Sequence, residues 1–308
     1  MAHSFNLLAK RDTLKALNDS SYKTFYNGFF SKLNSLLKKQ NYSAQKSDII
    51  REFFNGHLFV IPGDTRWNGT YLSVKDFFKK IDEKTDENII NELMEKLELT
   101  CFKKRELEFG REFLKVMAPI ARAIEEFQRD HNTGLGLVLP TLVSVKFRLD
   151  KIKAEKLKFC EILIKVILEG MEKRFENLFK NSYFVLAAIS TPSLKLNWIL
   201  DQESRNIAKD LLKKEVEKVQ ISKPKTEDLS KQLQSSNSFF DIFDENPTED
   251  SDESEVDQFL NSKDKSINLL QRFENIREIY HKYNTILASS ASAERLFSKG
   301  KLVFNTKF

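Results

Sequence analysis

The chain has 308 residues, of which 31% are charged and 41% hydrophobic, so it is long enough to bury a sizeable core. It contains no run of about 18 apolar residues, which argues against a membrane-spanning helix, and its first residues lack the pattern of a signal peptide. Cys101 and Cys160 are too few and too far apart for a disulfide framework or a zinc site. A reducing cytosolic or nuclear compartment is therefore expected.

Helical periodicity dominates the pattern of apolar residues. Helices are predicted, in chain order, over residues 20–39, 44–55, 70–81, 88–98, 109–127, 141–152, 154–180 and 203–219. The 26 phenylalanines and only nine glycines also favour aromatic packing between helices. Pro119 is expected to bend the helix over 109–127 or to break it near residue 118. The apolar run Tyr183–Ile189 fits either a strand or a buried helix, and residues 131–136 are expected to form a loop.

Residues 222–253 differ in composition from the segments on either side. Ser, Asn, Gln and charged residues replace the apolar periodicity, so this segment is expected to be a disordered linker. The cluster Phe239–Phe243 within it is either a short docking motif or a segment that packs onto the rest of the chain. Ordered patterning resumes at Val256 and continues to Phe304.

Charge is unevenly distributed along the chain. The formal net charge is +5, but the stretch Asp241–Asp257 holds nine acidic residues and no Lys or Arg, and the remainder has a net charge of +14. A basic body beside an acidic segment is compatible with binding to nucleic acid. A lysine-rich surface that is only solvated explains the same composition, so charge alone leaves both interpretations open.

The stretch Ala288–Ser298, with the sequence ASSASAERLFS, combines small residues, one carboxylate and an apolar pair. Ser289 or Ser290 is suited to cap a helix N-terminus, and Glu294 then lies where a carboxylate favours the helix dipole. Two neighbouring side chains give that helix an apolar side: Leu296 and Phe297. The stretch resembles the C-terminal signature of the hAT superfamily of DNA transposases, whose usual form is Ser-Ser-x-x-Ser-Glu-Arg-x-Phe-Ser.

Other blocks resemble the same family and follow in the family's order. Ala2–Leu8 is similar to the block Cys-x-x-His-x-Leu-Asn-Leu, although the position of the Cys would precede Met1. Asp64–Tyr71 is similar to Thr-Arg-Trp-Asn-Ser-Thr-Tyr, with Gly69 in place of the Ser. Leu186–Leu196 is similar to Leu-Ala-x-x-Leu-Asp-Pro-Arg-Phe-Lys-Leu, with Thr and Ser where the family has Asp and Arg. The region from 255 to 298 is collinear with the family's C-terminal part.

The resemblance implies a mostly α fold: the helical insertion domain of a ribonuclease H-like transposase, with only the C-terminal fragment of the α/β catalytic domain. The expected domains are an all-helical insertion domain over 1–221, the acidic and polar linker over 222–253, and an incomplete dimerisation region over 254–308. The strands that carry the family's first two catalytic Asp residues are expected upstream of Met1. The chain is therefore expected to be a truncated or domesticated derivative.

The resemblance also implies roles for individual residues. Glu294 has the position of the last of three catalytic carboxylates, but alone it cannot hold the pair of Mg²⁺ ions that phosphoryl transfer requires. A helix-terminal carboxylate without a metal is its alternative role. Trp67 has the position of a residue that stacks on a displaced DNA base, or it is a core aromatic at the start of a helix. Arg66 is suited to contact a phosphate, and Asn68 and Thr70 are suited to cap the following helix.

These observations predict a transposase-derived protein that is catalytically inactive and acts through dimerisation, with itself or with related hAT proteins. The residues expected at the dimer contact are Ser289, Ser290, Leu296 and Phe297. A residual DNA-binding module and a fragment of an active transposase are the alternatives. No cofactor is expected, with Mg²⁺ required only by a complete transposase. A nuclear location is expected, with no membrane and no small-molecule substrate as partners.

Overall fold

A computed structural model describes residues 1–63, 67–84, 88–129, 134–222, 254–286 and 288. These residues are mostly helical and include no β-strand, which confirms the predicted mostly α class. The α-helices are α1 (Ala2–Leu7), α2 (Ser20–Tyr42), α3 (Ala44–Phe53), α4 (Trp67–Asp82), α5 (Ile89–Lys96), α6 (Lys104–Gln128), α7 (Val138–Ala154), α8 (Glu161–Phe179), α9 (Ser182–Ile189), α10 (Gln202–Ser222), α11 (Glu255–Asn261) and α12 (Glu274–Asn284). Short π or 3₁₀ turns cover Leu8–Asp12, Thr13–Asn18, Leu135–Leu137 and Ile267–Arg272.

Six predicted helices are found close to their expected bounds, as α2, α3, α4, α5, α7 and α10. The run Tyr183–Ile189 lies in α9, so its helical alternative is confirmed. Asn181 caps this helix, because its side chain accepts a hydrogen bond from the N–H of Tyr183 at 2.9 Å. The expected loop over 131–136 lies partly outside the described residues, and Leu135–Leu137 forms a 3₁₀ turn. The expected linker lies outside them from residue 223 onward.

The chain forms two compact units. The first includes the described residues of 1–133 and 141–180, together with Ala288, and the second includes 134–140 and the described residues of 181–286. The unit boundary at residue 180 differs from the expected domain boundary at 221, because the apolar faces of α9 and α10 pack against α11 and α12. The assignment of 1–221 to an insertion domain stays a prediction.

Phenylalanine rings form the core of the first unit. Phe29 of α2 stacks on Phe78 of α4, with ring centroids 5.9 Å apart and an interplanar angle of 2°. Phe109 of α6 lies 6.3 Å from the same Phe29 ring. Gly110 permits this approach, since a Cβ atom there would lie 2.5 Å from the Phe29 ring. Aromatic packing therefore holds α2, α4 and α6 together, as the composition predicts.

Helix α6 continues from Lys104 to Gln128 through Pro119. Of the two alternatives expected at Pro119, the break near residue 118 is therefore wrong, and the bend stays a prediction. Proline in a helix interior costs about 3 kcal/mol, because it lacks an N–H and crowds the preceding turn. Val116 and Ile120 flank it and are fully buried, and burial of each such side chain contributes ~1.5–3 kcal/mol. Tertiary packing thus outweighs the local cost of the proline.

The predicted helix over 154–180 is shorter than expected, since α7 ends at Ala154 and α8 begins at Glu161. Between them, Lys156 has a positive φ of 52°. The carboxylate of Glu112 on α6 accepts hydrogen bonds from three consecutive backbone N–H groups, at 2.9, 2.9 and 3.1 Å, which belong to Lys158, Phe159 and Cys160. Glu112 therefore caps the start of α8 from another helix and satisfies donors that the helix itself leaves unpaired.

The second unit has its own apolar core, contributed by α9, α10, α11 and α12. Phe259 of α11 meets Phe273 edge to face, with centroids 5.7 Å apart. The side chain of Asn284 accepts a hydrogen bond from the N–H of Gly136 at 2.8 Å and donates one to the carbonyl of Ala187 at 3.0 Å. One amide side chain thus joins α12 to α9 and to the 3₁₀ turn that precedes α7.

A buried acid, Glu215 on α10, is satisfied within the second unit. It is 4% exposed and accepts hydrogen bonds from the Tyr283 hydroxyl and Lys282 Nζ at 2.7 Å each, and from Lys218 Nζ at 3.2 Å. Burial raises the pKa of this carboxyl, but the three hydrogen bonds outweigh that effect and hold the pKa at about 2. The ionised carboxylate therefore stabilises the fold at pH above 4.5, the pKa of an unperturbed Glu, and this contribution is lost as the pH falls toward 2.

Replacing Glu112 by Ala should lower the free energy of unfolding by about 2 kcal/mol, because three N–H groups at the start of α8 lose their acceptor. Urea unfolding followed by circular dichroism measures the change. Glu172→Ala is the matched control, since Glu172 is an exposed carboxylate of α8, and it should change stability by less than about 0.5 kcal/mol. Equal effects of the two substitutions would contradict the capping role.

Replacing Glu215 by Gln should flatten the pH dependence of unfolding between pH 4.5 and pH 2. The wild-type chain should lose about 3 kcal/mol from this group over that interval, because protonation of the folded state requires a pH near its depressed pKa. Urea midpoints at stepped pH values measure the slope. Glu217→Gln, two residues away and exposed, should retain the wild-type slope. A wild-type slope in Glu215→Gln would show that the buried carboxylate is not the titrating group.

Candidate nucleic-acid interface

A groove runs along α6 in the first unit, between α4 and the C-terminal half of α7. It consists of two adjoining cavities of about 640 and 620 Å³. Four residues line both cavities: Tyr71, Lys75, Lys115 and Ala118. The two cavities therefore form one continuous feature, which we call the α6 groove.

Basic residues repeat along the α6 side of the groove. Arg111, Lys115, Arg122 and Arg129 lie four, seven and seven residues apart, and each lines one or both cavities. Spacings of four and seven residues place side chains on one face of a helix. The eighteen residue steps from Arg111 to Arg129 span about 27 Å at 1.5 Å per residue. The α6 groove thus has a row of cations along most of its length.

The two walls of the groove carry further charges. Lys75 and Lys79 line it from α4, and Arg148 and Lys151 line it from α7. The carboxylates that line it are Asp82, Glu83, Glu125, Glu126 and Glu155. Eight basic and five acidic side chains leave the lining with a net positive charge.

Several of these cations are paired with neighbouring carboxylates. Arg111 donates two hydrogen bonds to Asp82, at 2.5 and 3.1 Å, and these lower the pKa of that carboxyl. The other pairs join Lys115 to Glu155, Arg122 and Arg129 to Glu126, and Lys79 to Glu83. Ion pairs between exposed side chains contribute at most about 1 kcal/mol. An anion entering the groove can therefore displace these carboxylates at small cost.

Three cations of the groove have no carboxylate partner within the described part of the chain: Lys75, Arg148 and Lys151. All three side chains are exposed. Arg148 makes one long hydrogen bond, from Nε to Ser144 Oγ at 3.4 Å. Since Lys75 lies on α4 and the other two on α7, a ligand in the groove meets unpaired positive charge on both walls.

The buried residues that line the groove form its floor and are largely apolar. They are Tyr71, Pro119 and Ile152, beside the half-buried Ala118. Burial raises the pKa of Tyr71, so its phenol stays neutral at physiological pH. The floor is thus largely apolar.

The predicted DNA-contacting block lies at the start of a helix that lines this groove. Trp67 is the first residue of α4, one turn before Tyr71. Arg66 lies outside the described residues, and nothing described tests its phosphate contact. The block is therefore next to the α6 groove in the chain, while the roles of Trp67 and Arg66 stay predictions.

The predicted capping by Asn68 and Thr70 is wrong. Helix α4 begins at Trp67, so both residues lie in its first turn. The Asn68 side chain is 9% exposed, and its Oδ1 atom accepts no hydrogen bond from the described residues. Gly69 packs closely on the preceding segment, because a Cβ atom there would lie 3.1 Å from the nitrogen of Gly63.

The predicted residues of the C-terminal motif lie outside the described residues. They are Ser289, Ser290, Glu294, Leu296 and Phe297. Ala288, which precedes them, is buried, and its carbonyl accepts a hydrogen bond from the amino group of Met1 at 2.5 Å. Among the described residues, no three His, Cys, Asp or Glu side chains form a group that can hold a metal ion.

The sequence analysis singled out none of the three groove cations that lack a carboxylate partner among the described residues. The sequence does contain a pattern that indicates the basic residues on the α6 side of the groove. Basic residues recur at positions 115, 122 and 129, with the seven-residue spacing of one helix face. No such signal links Lys75 to Arg148 and Lys151, because they come from helices far apart in sequence. Only tertiary packing shows that the three line one groove.

Comparison with known proteins does not identify a family. The chain matches no protein-family model and no curated protein. None of the described helices has the length and apolar character needed to cross a membrane. The resemblance to hAT transposases is accordingly carried by the motifs of the sequence alone.

Proposed function

We propose that this is an hAT transposase-derived protein that binds nucleic acid through the α6 groove and does not catalyse phosphoryl transfer. The observation that carries the proposal is the presence of three exposed cations, Lys75, Arg148 and Lys151, that have no carboxylate partner among the described residues and lie on the two walls of one groove. The sequence motifs supply the transposase origin.

The affinity of such a groove comes chiefly from release of counterions by the nucleic acid. Each unpaired Lys or Arg neutralises a phosphate without first losing a protein carboxylate, so these three residues contribute most. The paired cations, such as Arg111 and Lys115, contribute less because a phosphate must replace Asp82 or Glu155. Binding of this kind is strongly dependent on salt and weakly dependent on base sequence.

The proposal assigns no catalysis to Glu294. Two-metal phosphoryl transfer requires several converging carboxylates, and this chain offers one at a family position.

Self-association is a second candidate function, favoured by the composition of residues 288–304. That segment places small residues before the apolar pair Leu296 and Phe297, a pattern that allows two backbones to approach closely. Such a pattern is suited to a contact between two copies of the chain. Dimerisation through this segment is compatible with nucleic-acid binding by the first unit.

Replacing Lys75, Arg148 and Lys151 together by Ala should weaken binding to a short DNA by tenfold or more at 50 mM salt. The slope of log affinity against log salt should become less steep, by about 2 for a single strand and about 3 for a duplex, because three phosphate contacts are lost. Fluorescence anisotropy titrations at several salt concentrations measure both quantities.

The matched control for this triple substitution removes three exposed lysines outside the groove, Lys23, Lys38 and Lys173. This control variant loses the same net charge as the groove variant, and it should retain most of the wild-type affinity and salt dependence. Equal losses of affinity in the two triple variants would show that binding depends on net charge and not on the groove. The absence of binding by the wild-type chain would refute the proposal.

Replacing Leu296 by Asp should convert a dimer to a monomer, because a carboxylate at an apolar contact loses its hydration. Size-exclusion chromatography with light scattering gives the mass. Ser298→Asp is the control, since it adds the same charge at a neighbouring polar position. A wild-type chain that stays monomeric at high micromolar concentration would exclude self-association.

A further inference from the structure

The α6 groove is elongated along α6. Its larger cavity, of about 640 Å³, is lined by α6 residues from Lys115 to Arg129, which span about 21 Å at 1.5 Å per residue. A ligand that follows α6 over this length meets side chains of both walls.

The groove is also divided into an apolar floor and a charged rim. Ala118, Pro119 and Ile152 lie at the floor, whereas Lys75, Arg148 and Lys151 are exposed at the walls. A single strand can place its unstacked bases against apolar surface while its phosphates reach cations. A duplex hides its base faces in the stack, so it would leave the floor unused.

We infer that the α6 groove binds single-stranded nucleic acid, with bases toward Ala118 and Pro119 and phosphates toward Lys75, Arg148 and Lys151. This inference rests on the proposed function and specifies its ligand. Single-stranded sites of this type cover about 4–16 nucleotides, and a row of cations about 27 Å long suits the lower part of that range.

The test compares three labelled ligands on the full chain by fluorescence anisotropy at 50 mM salt: a 12-mer of thymidylate, a 12-base-pair duplex, and a 12-mer with abasic sites in place of bases. The thymidylate strand should bind at least tenfold more tightly than the duplex. It should also bind at least fivefold more tightly than the abasic strand, which has the same phosphates and no bases to place on the floor.

A substitution at the floor separates this inference from the proposed function. Ala118 lines both cavities, so Ala118→Trp should fill their junction and weaken thymidylate binding at least tenfold, while rim contact with the duplex changes little. Ala44→Trp, at an exposed position on α3, is the control for the added ring. Circular dichroism establishes that each variant is folded, and the abasic comparison needs no variant.

The outcomes distinguish the two claims. Duplex binding equal to or tighter than thymidylate binding, with the groove triple variant still defective, would overturn the single-strand inference and leave the proposed function standing. Equal binding of the abasic and thymidylate strands would also overturn it. Failure of every ligand to bind would remove the proposed function itself.

Discussion

The packing of α6 against the phenylalanine rings of α2 and α4 is the constraint on which the first unit depends. Gly110 allows the Phe29 ring to approach the α6 backbone, and Phe29 in turn stacks on Phe78. This contact orients α6 so that its apolar face is buried along its whole length. The opposite face, with Arg111, Lys115 and the basic positions that follow, is thereby directed into the groove. The core and the candidate site are thus two sides of one helix.

The same helix also caps the start of α8. Glu112 accepts three backbone hydrogen bonds there, where the apolar pattern alone predicts an uninterrupted helix. The interruption leaves Glu155, just beyond α7, in contact with Lys115 of α6. Arg148 and Lys151 precede it on α7 and form the second wall of the groove. A single capping carboxylate therefore contributes indirectly to the shape of the charged surface.

In the second unit, hydrogen bonds of buried and half-buried polar side chains join the helices, in addition to the apolar core. Asn284 links α12 to α9, and Glu215 links α10 to α12 through Tyr283 and Lys282. Because a buried polar group without a partner is costly, each of these contacts favours one arrangement of the helices over others. The unit combines segments on both sides of residues 223–253, so the composition change in that stretch does not mark the boundary of a compact unit.

The periodicity of apolar residues determined the class of the fold and the bounds of most helices, because burial of one helix face requires that spacing. It also determined the aromatic character of the core. The tertiary structure alone decided the continuity of α6 at Pro119, the start of α8 at Glu161 and not at Ala154, and the position of Lys75, Arg148 and Lys151 along one groove. Local propensity argued against the first, and the other two depend on residues distant in sequence. Burial of α6 against other helices outweighs the local cost of its proline. A cap or a groove formed by residues of separate helices produces no regular spacing along the sequence, so the sequence alone does not predict it.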